Sequence, residues 1–320
     1  MKEYIEAKRI TTEKKVTRLV VSQAEEWEGR MKIFILPVDT LFQPERQNFT
    51  APPHNLDFGV EQDFLAWLQA QPDLLTDDPD EADWLLFQPY WNRLYVNTWG
   101  QSGIPELQAE IERLVNRDRR VFTVCEYDIT ELQRDEIDLC GMTVFCASRY
   151  GESGIDVPLL CSPHTLPETL PGKCYLASFI GNAAPWGVRT GMWDELGERD
   201  DCHLENDNHG TDFFVNLMLE SYVGLAPRGN GGSSFRFYEA MQLGVVPCHI
   251  GEPDVRPFPD VIDWDSCSLY LPSPHGLRDL LAGIPKGRLL EMGACAARVY
   301  DEHLRYGQWC RYVIEALEGL

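Results

Sequence analysis

Short apolar runs alternate with segments of helical periodicity along the first half of the chain. Four runs are almost continuously apolar over the length of a strand, at 31–39, 83–91, 120–128 and 142–148. Two segments between them, 61–70 and 105–117, repeat apolar residues three and four positions apart, which is typical of a helix with one buried face. Apolar strands joined by helices indicate a parallel sheet that is covered on both faces.

The same alternation restarts after a proline-rich loop at 165–173. Further strands are predicted at 174–182, 221–229, 245–251 and 268–272. Further helices are predicted at 235–243 and 276–284, with a long last helix at 288–318 that reaches back across both domains. We therefore expect an α/β protein of two Rossmann-like parallel-sheet domains facing a cleft. The predicted divisions are an N-terminal extension (1–30), a first domain (31–165), a second domain (166–290) and a C-terminal helix (291–320).

The chain is strongly acidic, with 28 lysines and arginines against 51 aspartates and glutamates, a net charge of −23. Nucleic-acid backbones and anionic membranes are bound through cationic surfaces, so this balance argues against partners of those two kinds. It does not exclude a small anionic ligand held by a few arginines. No apolar run reaches the roughly 18 residues of a membrane span, and the N-terminus lacks the apolar core of a secretory signal.

The ten cysteines form no CxxC pair and match no zinc-site spacing. Several lie inside apolar runs, among them Cys125 and Cys146. We interpret the cysteines as reduced thiols of the core, which predicts a cytoplasmic protein without a metal. His203 and His209 are interpreted as residues of a solvated acidic loop, and His249 as a packed core histidine.

The segment 221–251 carries the most specific chemistry, as a strand, a glycine-rich loop, a helix and another strand. Gly229 opens a loop whose backbone can approach a ligand closely. Ser233 or Ser234 can cap the helix that follows, and Gly244 lies where a C-terminal glycine belongs. The N-terminus of such a helix presents free N–H groups and a partial positive charge, which favour a phosphate.

Two arginines flank this helix start, Arg228 in the loop and Arg236 in the first turn. Guanidinium groups suit the oxygens of a diphosphate. Glu239 lies three positions after Arg236, on the same helix face, and its carboxylate can accept hydrogen bonds from two ribose hydroxyls. The alternative is an Arg236–Glu239 ion pair on the surface beside a mobile loop. The loop is neither a Walker P-loop nor a dinucleotide-binding GxGxxG motif.

Three motifs follow one another within 225–272. They are Pro227-Arg228-Gly229, the run from Ser234-Phe235-Arg236 to Gln242-Leu243-Gly244, and Pro257-Phe258 with Val261-Ile262-Asp263-Trp264. Together they resemble the signature of the exostosin family, glycosyltransferase family 47. Weaker matches lie upstream, at Phe179-Ile180-Gly181 with Arg189, at Asp156-Val157-Pro158 and at 78–83 with Pro89. The resemblance covers about residues 31–310 and departs from the family pattern at Pro158, which follows Val157 immediately.

The resemblance implies the GT-B architecture and an inverting transfer of sugar from a UDP-sugar to a hydroxyl of a glycan acceptor. It implies no metal and no cofactor beyond the donor substrate, because arginines and a helix N-terminus stabilise the leaving group. By this likeness Arg189, Arg228 and Arg236 hold the diphosphate and Glu239 holds the ribose. The membrane anchor and stem of Golgi members are not recognisable, so we expect a soluble form.

The general base that accepts the proton of the acceptor hydroxyl is not identified by the sequence. Candidates lie where strands of the first domain end, namely Asp128, Glu126 and Asp39, with His54 in the long loop 40–60. We rank Asp128 and Glu126 ahead of Asp39. For each candidate alone, a helix cap or a solvated loop residue is the alternative role.

The acceptor is expected to lie against the first domain. His54 is a candidate for that side because long loops are often functional. Trp91 and Tyr95, four positions apart, are candidates for a platform on which a sugar stacks, and a core stripe is the alternative.

Two other functions stay open at this stage. One is a catalytically silent exostosin-like subunit that binds the nucleotide-sugar and acts as a scaffold in a glycan-synthesis complex. The other is an unrelated phosphoryl-transfer enzyme, which the absence of a Walker lysine and of an evident Mg²⁺ ligand pair disfavours.

Overall fold

The computed structural model describes residues 31–48, 55, 59–98, 104–126, 137–151, 153–182, 187–207 and 209–320. The predicted N-terminal extension, His54 and Asp128 lie outside these ranges. Among the described residues, no helix combines the length and apolarity needed to cross a bilayer.

Two five-stranded parallel sheets follow one another along the chain. The first consists, in spatial order, of β1 (Ile33–Ile35), β2 (Trp84–Leu86), β3 (Val121–Cys125), β4 (Thr143–Cys146) and β5 (Ile155–Asp156). The strands of the second sheet are β6 (Tyr175–Ile180), β7 (Cys202–Glu205), β8 (Ser221–Pro227), β9 (Val246–Ile250) and β10 (Leu269–Leu271). The predicted boundary at 165/166 falls between β5 and β6.

Helices lie between many of the consecutive strands, as is usual for parallel pairing. The described helices of the first domain are α1 (Val60–Gln69), α2 (Trp91–Thr98) and α3 (Ile104–Leu114). Those of the second are α4 (Gly187–Leu196), α5 (Thr211–Glu220), α6 (Phe235–Gln242), α7 (Trp264–Cys267) and α8 (Leu277–Gly283). The chain closes with α9 (Lys286–Val299) and α10 (Cys310–Gly319).

The strand order of the second sheet reverses between its first and third strands. Its spatial order is β10-β9-β8-β6-β7, so the chain runs outward in one direction from β6 and in the other from β8. Connections leave these two strands toward opposite sides and open a crevice at their carboxyl ends, where open α/β sheets bind ligands. The residues that follow are Gly181 after β6 and Arg228 after β8.

The carboxyl edges of the two sheets face one another. The Gly232 backbone N–H, in the loop after β8, donates to the Ser148 carbonyl at 3.4 Å, just beyond β4. A Cβ placed on Gly231 would lie 2.5 Å from that same carbonyl oxygen, so the glycines of this loop permit close contact between the domains. Two parallel sheets that face each other in this way form the GT-B architecture, and the predicted fold class is confirmed.

One apolar cluster runs through both domains. It joins Phe64 and Phe122 of the first domain to Phe237 and Trp264 of the second, and it also includes Trp309 at the start of α10. Ring contacts such as Phe64 to Phe122, 6.1 Å between centroids, continue across it. The two domains therefore share one buried core.

The last helix differs from the prediction. A single helix was expected at 288–318, but α9 ends at Val299 in a π-helical turn and the chain reverses at Gly307, where φ is +81°. α9 packs on β9, whereas α10 packs on α1 of the first domain. The crossing from one domain to the other is thus confirmed, although two helices make it.

Two smaller expectations also need correction. His203 lies in the edge strand β7 and not in a loop, because this short, half-buried strand lacks the apolar run that marked the others. All ten cysteines are free, but Cys174 is exposed and Cys202 and Cys295 are partly exposed, so not all are core thiols. His249 is packed in the core as predicted, 2% exposed. The cytoplasmic location stays a prediction.

Candidate functional site

Arg236 lies at the start of α6 and reaches across to the end of β6. Its Nε donates to the Ile180 carbonyl at 2.8 Å, and its guanidinium carbon lies 4.9 Å from the centre of the Phe179 ring. Gly181, with φ +145°, passes so close to this guanidinium that a Cβ there would overlap Nη2. Burial lowers the pKa of Arg236, and the Glu239 carboxylate partly opposes this. Arg236 is therefore held at the point where the strand order reverses.

Arg189, from α4, approaches the same place. Its guanidinium carbon lies 5.8 Å from the centre of the Phe179 ring, and Nη1 donates to the Asn182 carbonyl at 2.8 Å. A Cβ on Gly229 would lie 3.5 Å from Nη2, so Arg189 also borders the glycine-rich loop. Burial, and then the charge of Arg236, lower the pKa of Arg189 to about 10. The two arginines form a compact cationic site around one aromatic ring.

Arg228 faces the other domain. Its backbone N–H donates to the Ile250 carbonyl at 2.9 Å, and its guanidinium carbon lies 4.5 Å above the ring of Tyr150, which follows β4. Nη2 is 3.3 Å from the Tyr150 hydroxyl. Arg228 thus spans the cleft, at its rim and apart from the ring that Arg189 and Arg236 share.

The start of α6 is less conventional than the sequence predicts. Ser234 occupies the N-cap position, but its hydroxyl makes no capping hydrogen bond. The Ser233 hydroxyl interacts with the Tyr238 hydroxyl. The N-terminus of this helix carries a partial positive charge, and it lies beside the arginines. At the other end, Gly244 follows the helix with φ +68°, as predicted.

Glu239 lies one turn into α6 and is 3% exposed. Its Oε1 is 2.8 Å from Nε2 of His164, which belongs to the segment that links the two sheets and whose side chain is buried. The alternative of an exposed Arg236–Glu239 pair is therefore wrong, because the carboxylate is buried and bound to His164. Sequence reasoning missed His164, which lies 75 positions before Glu239 and in no recognisable motif.

A second polar cluster lies in the first domain, at the end of β3. Glu126 is 3% exposed, and its backbone N–H donates to Oε1 of Glu61 at 2.9 Å. Burial, and then the charges of Glu61 and Asp63, raise the pKa of Glu126 well above its ordinary value. Neither carboxylate oxygen receives a hydrogen bond of normal length and angle from the described residues, although the Val60 backbone N–H lies close by. The role of Glu126 as the general base stays a prediction.

Glu61, at the start of α1, is fully buried and was missed by sequence reasoning. A glutamate in the first turn of an amphipathic helix is ordinarily exposed to solvent, where its negative charge interacts favourably with the helix dipole. Burial raises the pKa of Glu61 to about 8. Its neighbour Asp63 is also shielded, and burial raises the pKa of Asp63 to about 7.

The other candidates of the first domain have structural roles or remain open. Asp39 is exposed, and its Oδ1 accepts from the Leu41 N–H at 2.8 Å, so it caps a short 3-10 turn. Trp91 is 1% exposed and donates its indole N–H to the Thr123 hydroxyl at 2.8 Å; this makes it a core residue with no face left for a sugar. Tyr95 is half-buried, and its acceptor role stays a prediction.

The sequence comparisons match residues that belong mainly to the second domain. Residues 139–281 match the model of the Exostosin GT47 domain. Exostosin-1 homolog of Caenorhabditis elegans is 33% identical over 113 residues, 35% of this chain and 30% of that protein. Exostosin-1 of Drosophila melanogaster is 30% identical over 102 residues, 31% of this chain and 13% of that protein. The matches thus span less than a third of the length of these relatives.

Comparison with solved structures gives distant likenesses. An alpha-glucosyltransferase in complex with UDP and DNA aligns over 82% of this chain and 84% of its own, with TM-score 0.42 and 10% identity. Spinosyn forosaminyltransferase SpnP aligns over 90% of this chain and 99% of its own, with TM-score 0.38 and 11% identity. The fold assignment rests on the strand order and domain contacts described above.

The family match covers Arg189, Arg228, Arg236 and Glu239 and ends before the last two helices, whereas Glu61 and Glu126 lie outside it. The signature at the second sheet and the sequence matches confirm the predicted resemblance: residues 139–281 are similar to the exostosin GT47 domain.

Proposed function

We propose that the protein is an inverting glycosyltransferase that moves a sugar from a UDP-sugar to a hydroxyl of a glycan. The observation that carries the proposal is the convergence of Arg189 and Arg236 on Phe179, where the strand order of the second sheet reverses.

The electrostatics of this site favour an anion. Two partly buried guanidinium groups lie near enough that the charge of Arg236 lowers the pKa of Arg189. A diphosphate between them would relieve this repulsion and would also lie at the N-terminus of α6, where the helix carries a partial positive charge. Glu239, next to the same helix turn, is proposed to hold the ribose, with His164 fixing its carboxylate.

The proposed reaction is a single displacement at the anomeric carbon. The acceptor oxygen forms a bond to that carbon while the bond to the diphosphate oxygen breaks, and its electron pair leaves with UDP. The acceptor proton passes to a base of the first domain, for which Glu126 is our choice. Arginines already supply the positive charge that the leaving group needs, so we propose that the transfer needs no metal; removing one such group typically lowers the rate by about 10²–10³.

Thermal unfolding with UDP, GDP, ADP and a panel of UDP-sugars, each with EDTA or Mn²⁺, tests the proposal. A ligand at a hundred times its dissociation constant adds about 2.7 kcal/mol, which is roughly 4 °C for a chain of 320 residues. We expect a UDP-selective shift that persists in EDTA and is lost in Arg236→Ala. Arg288→Ala is the matched control, because Arg288 is an exposed arginine paired with Glu291.

Transfer of sugar to a glycan acceptor is then measured with the donor that gives the largest shift. No shift with any nucleotide would overturn the assignment of the diphosphate site. A UDP shift without transfer from any donor would favour the silent scaffold subunit. A strict requirement for Mg²⁺ would favour a phosphoryl-transfer enzyme.

A further inference from the structure

We propose that Glu61 is a positioning residue for Glu126: it fixes the strand end that carries the Glu126 carboxyl, and its negative charge makes that carboxyl a stronger base. The inference rests on the proposed transferase function, in which Glu126 accepts the acceptor proton. It concerns residues outside the family match, in the first domain.

The geometry of Glu61 ties three elements together. From the first turn of α1, its Oε1 accepts from the Glu126 N–H at 2.9 Å and from the Asn92 N–H, at the start of α2, at 3.1 Å. Its Oε2 lies 3.3 Å from the same Asn92 nitrogen. Glu61 is fully buried, so these bonds are not exchanged with water. The carboxylate therefore fixes where β3 ends and where the Glu126 side chain begins.

The pair lies on the side of the first domain that faces α6. The Cys161 thiol, in the segment between the sheets, is close enough to both Glu239 and Glu126 that each carboxylate raises its pKa. Glu239 belongs to the same helix as Arg236. Glu126 is thus on the nucleotide-facing side of its domain, which is where a base for the transfer is needed.

Several charged or titratable groups face the pair from the elements packed around it. They are Asp63 of α1, Tyr90 and Arg93 at α2, Cys146 of β4, Cys161 of the linking segment, and Tyr306 near α10. Asp63 adds to the negative potential at Glu126, and Arg93 opposes it. After burial, the charge of Glu61 is the largest influence on the pKa of Glu126. Removing the charge of Glu61 should therefore change that pKa measurably.

The proton balance of the step is simple. The O–H bond of the acceptor breaks, the proton binds to a Glu126 carboxylate oxygen, and Glu61 keeps its own protonation state. A nearby negative charge favours the protonated form of the Glu126 carboxyl, which makes the Glu126 carboxylate a stronger base. Burial raises the pKa of Glu61 to about 8, so its negative charge is present above about that pH. In that range we expect transfer to fail at a higher pH, as the solution is made less alkaline, than it would with a neutral residue at position 61.

The test is the pH dependence of kcat/KM for transfer in Glu61→Gln, Glu61→Asp and the wild-type chain. Glu61→Gln keeps an oxygen acceptor but loses the charge, so we expect the acid limb to move to lower pH by one unit or more, a tenfold change in proton affinity. Glu61→Asp keeps the charge and is expected to leave the limb in place while lowering kcat. The matched control is Glu291→Gln, an exposed glutamate. An acid limb that coincides in Glu61→Gln and wild type would overturn the inference.

A second measurement is independent of transfer. Infrared difference spectra of the full chain, without substrate, follow the protonated carboxyl band of Glu126 through a pH titration, with Glu126→Gln identifying the band. Coupling between two groups is reciprocal, so the Glu61 band must shift in Glu126→Gln as the Glu126 band does in Glu61→Gln. The shift of the Glu61 band in Glu126→Gln can be measured even if Glu61→Gln does not fold. Absence of transfer in the wild type would overturn the proposed function, whereas unshifted bands would overturn the role of Glu61 alone.

Discussion

Replacement of Gly181 by alanine would test the diphosphate site without touching an arginine. Gly181 has φ +145°, a region that residues with a Cβ rarely adopt, and its Cβ would overlap the Arg236 guanidinium. The backbone strain alone is expected to lower the free energy of unfolding by about 1–3 kcal/mol. The displaced guanidinium adds a second effect, the loss of a charge-assisted contact to the ligand.

The size of that second effect can be worked out. A hydrogen bond to a charged group contributes about 1.5–3 kcal/mol, so moving Arg236 away should weaken UDP binding by roughly 10- to 150-fold. Titration calorimetry with UDP at a temperature where the variant is folded measures this directly. The expectation is a large rise in the dissociation constant together with a modest fall in Tm.

Gly210→Ala is the matched control. Gly210 has φ +88° and no atom lies within 4 Å of its would-be Cβ, so alanine there is strained but displaces nothing. We expect similar destabilisation in the two variants but weakened UDP binding only in Gly181→Ala. Equal UDP affinity in both would refute the view that Arg236, as positioned by Gly181, contacts the diphosphate.

Three further changes test the packing and the charges. His164→Ala leaves the buried Glu239 carboxylate without this partner and is expected to lower the free energy of unfolding by about 1–3 kcal/mol in urea, with a smaller loss in His164→Gln; no loss would contradict the pair. Trp309→Ala removes the ring against Phe64 and should cost about 3–5 kcal/mol in thermal unfolding, whereas Trp309→Phe should be mild because the indole N–H has no hydrogen-bond partner among the described residues. Burial raises the pKa of Glu61 from 4.5 to about 8, so the folded chain binds the Glu61 carboxyl proton more tightly than the unfolded chain does. The protonated Glu61 therefore contributes stability that is fully present below about pH 4.5 and is lost as the pH rises through about 8. In urea unfolding, the free energy of unfolding of Glu61→Gln should fall less than that of the wild type over that pH range. An equal fall in both would contradict the buried position of Glu61.

The strand–loop–helix–strand unit of the second domain was predictable almost residue by residue. Its strands are continuously apolar, its helix is periodic, and Gly244 ends that helix with a positive φ. Local sequence determines each of these features, so no knowledge of distant contacts is needed. Arg236 could be placed for the same reason, because its position in the helix fixes where the side chain starts.

The parts that sequence reasoning missed depend on contacts between distant residues. From the sequence alone, Glu61 is typical of an exposed acid in the first turn of a helix. In the structure it is buried and accepts a hydrogen bond from the backbone N–H of Glu126, 65 positions later at the end of β3. His164 lies just before the proline-rich loop, and only the packing of this segment against α6 brings it to Glu239. The reversal at Gly307 interrupts a helical pattern whose apolar faces continue on both sides, since α9 and α10 pack on different domains.

The apolar cluster that runs through both domains means that this protein is not modular. The family match ends at residue 281 and omits α9 and α10, yet Trp309 and the other apolar residues of α10 belong to the same core as Phe237 and Trp264. A fragment cut to the matched range would uncover these rings and expose a large apolar face to water. Chimaeras that exchange the second domain between relatives therefore have to carry the last two helices and the surface beneath them as one piece.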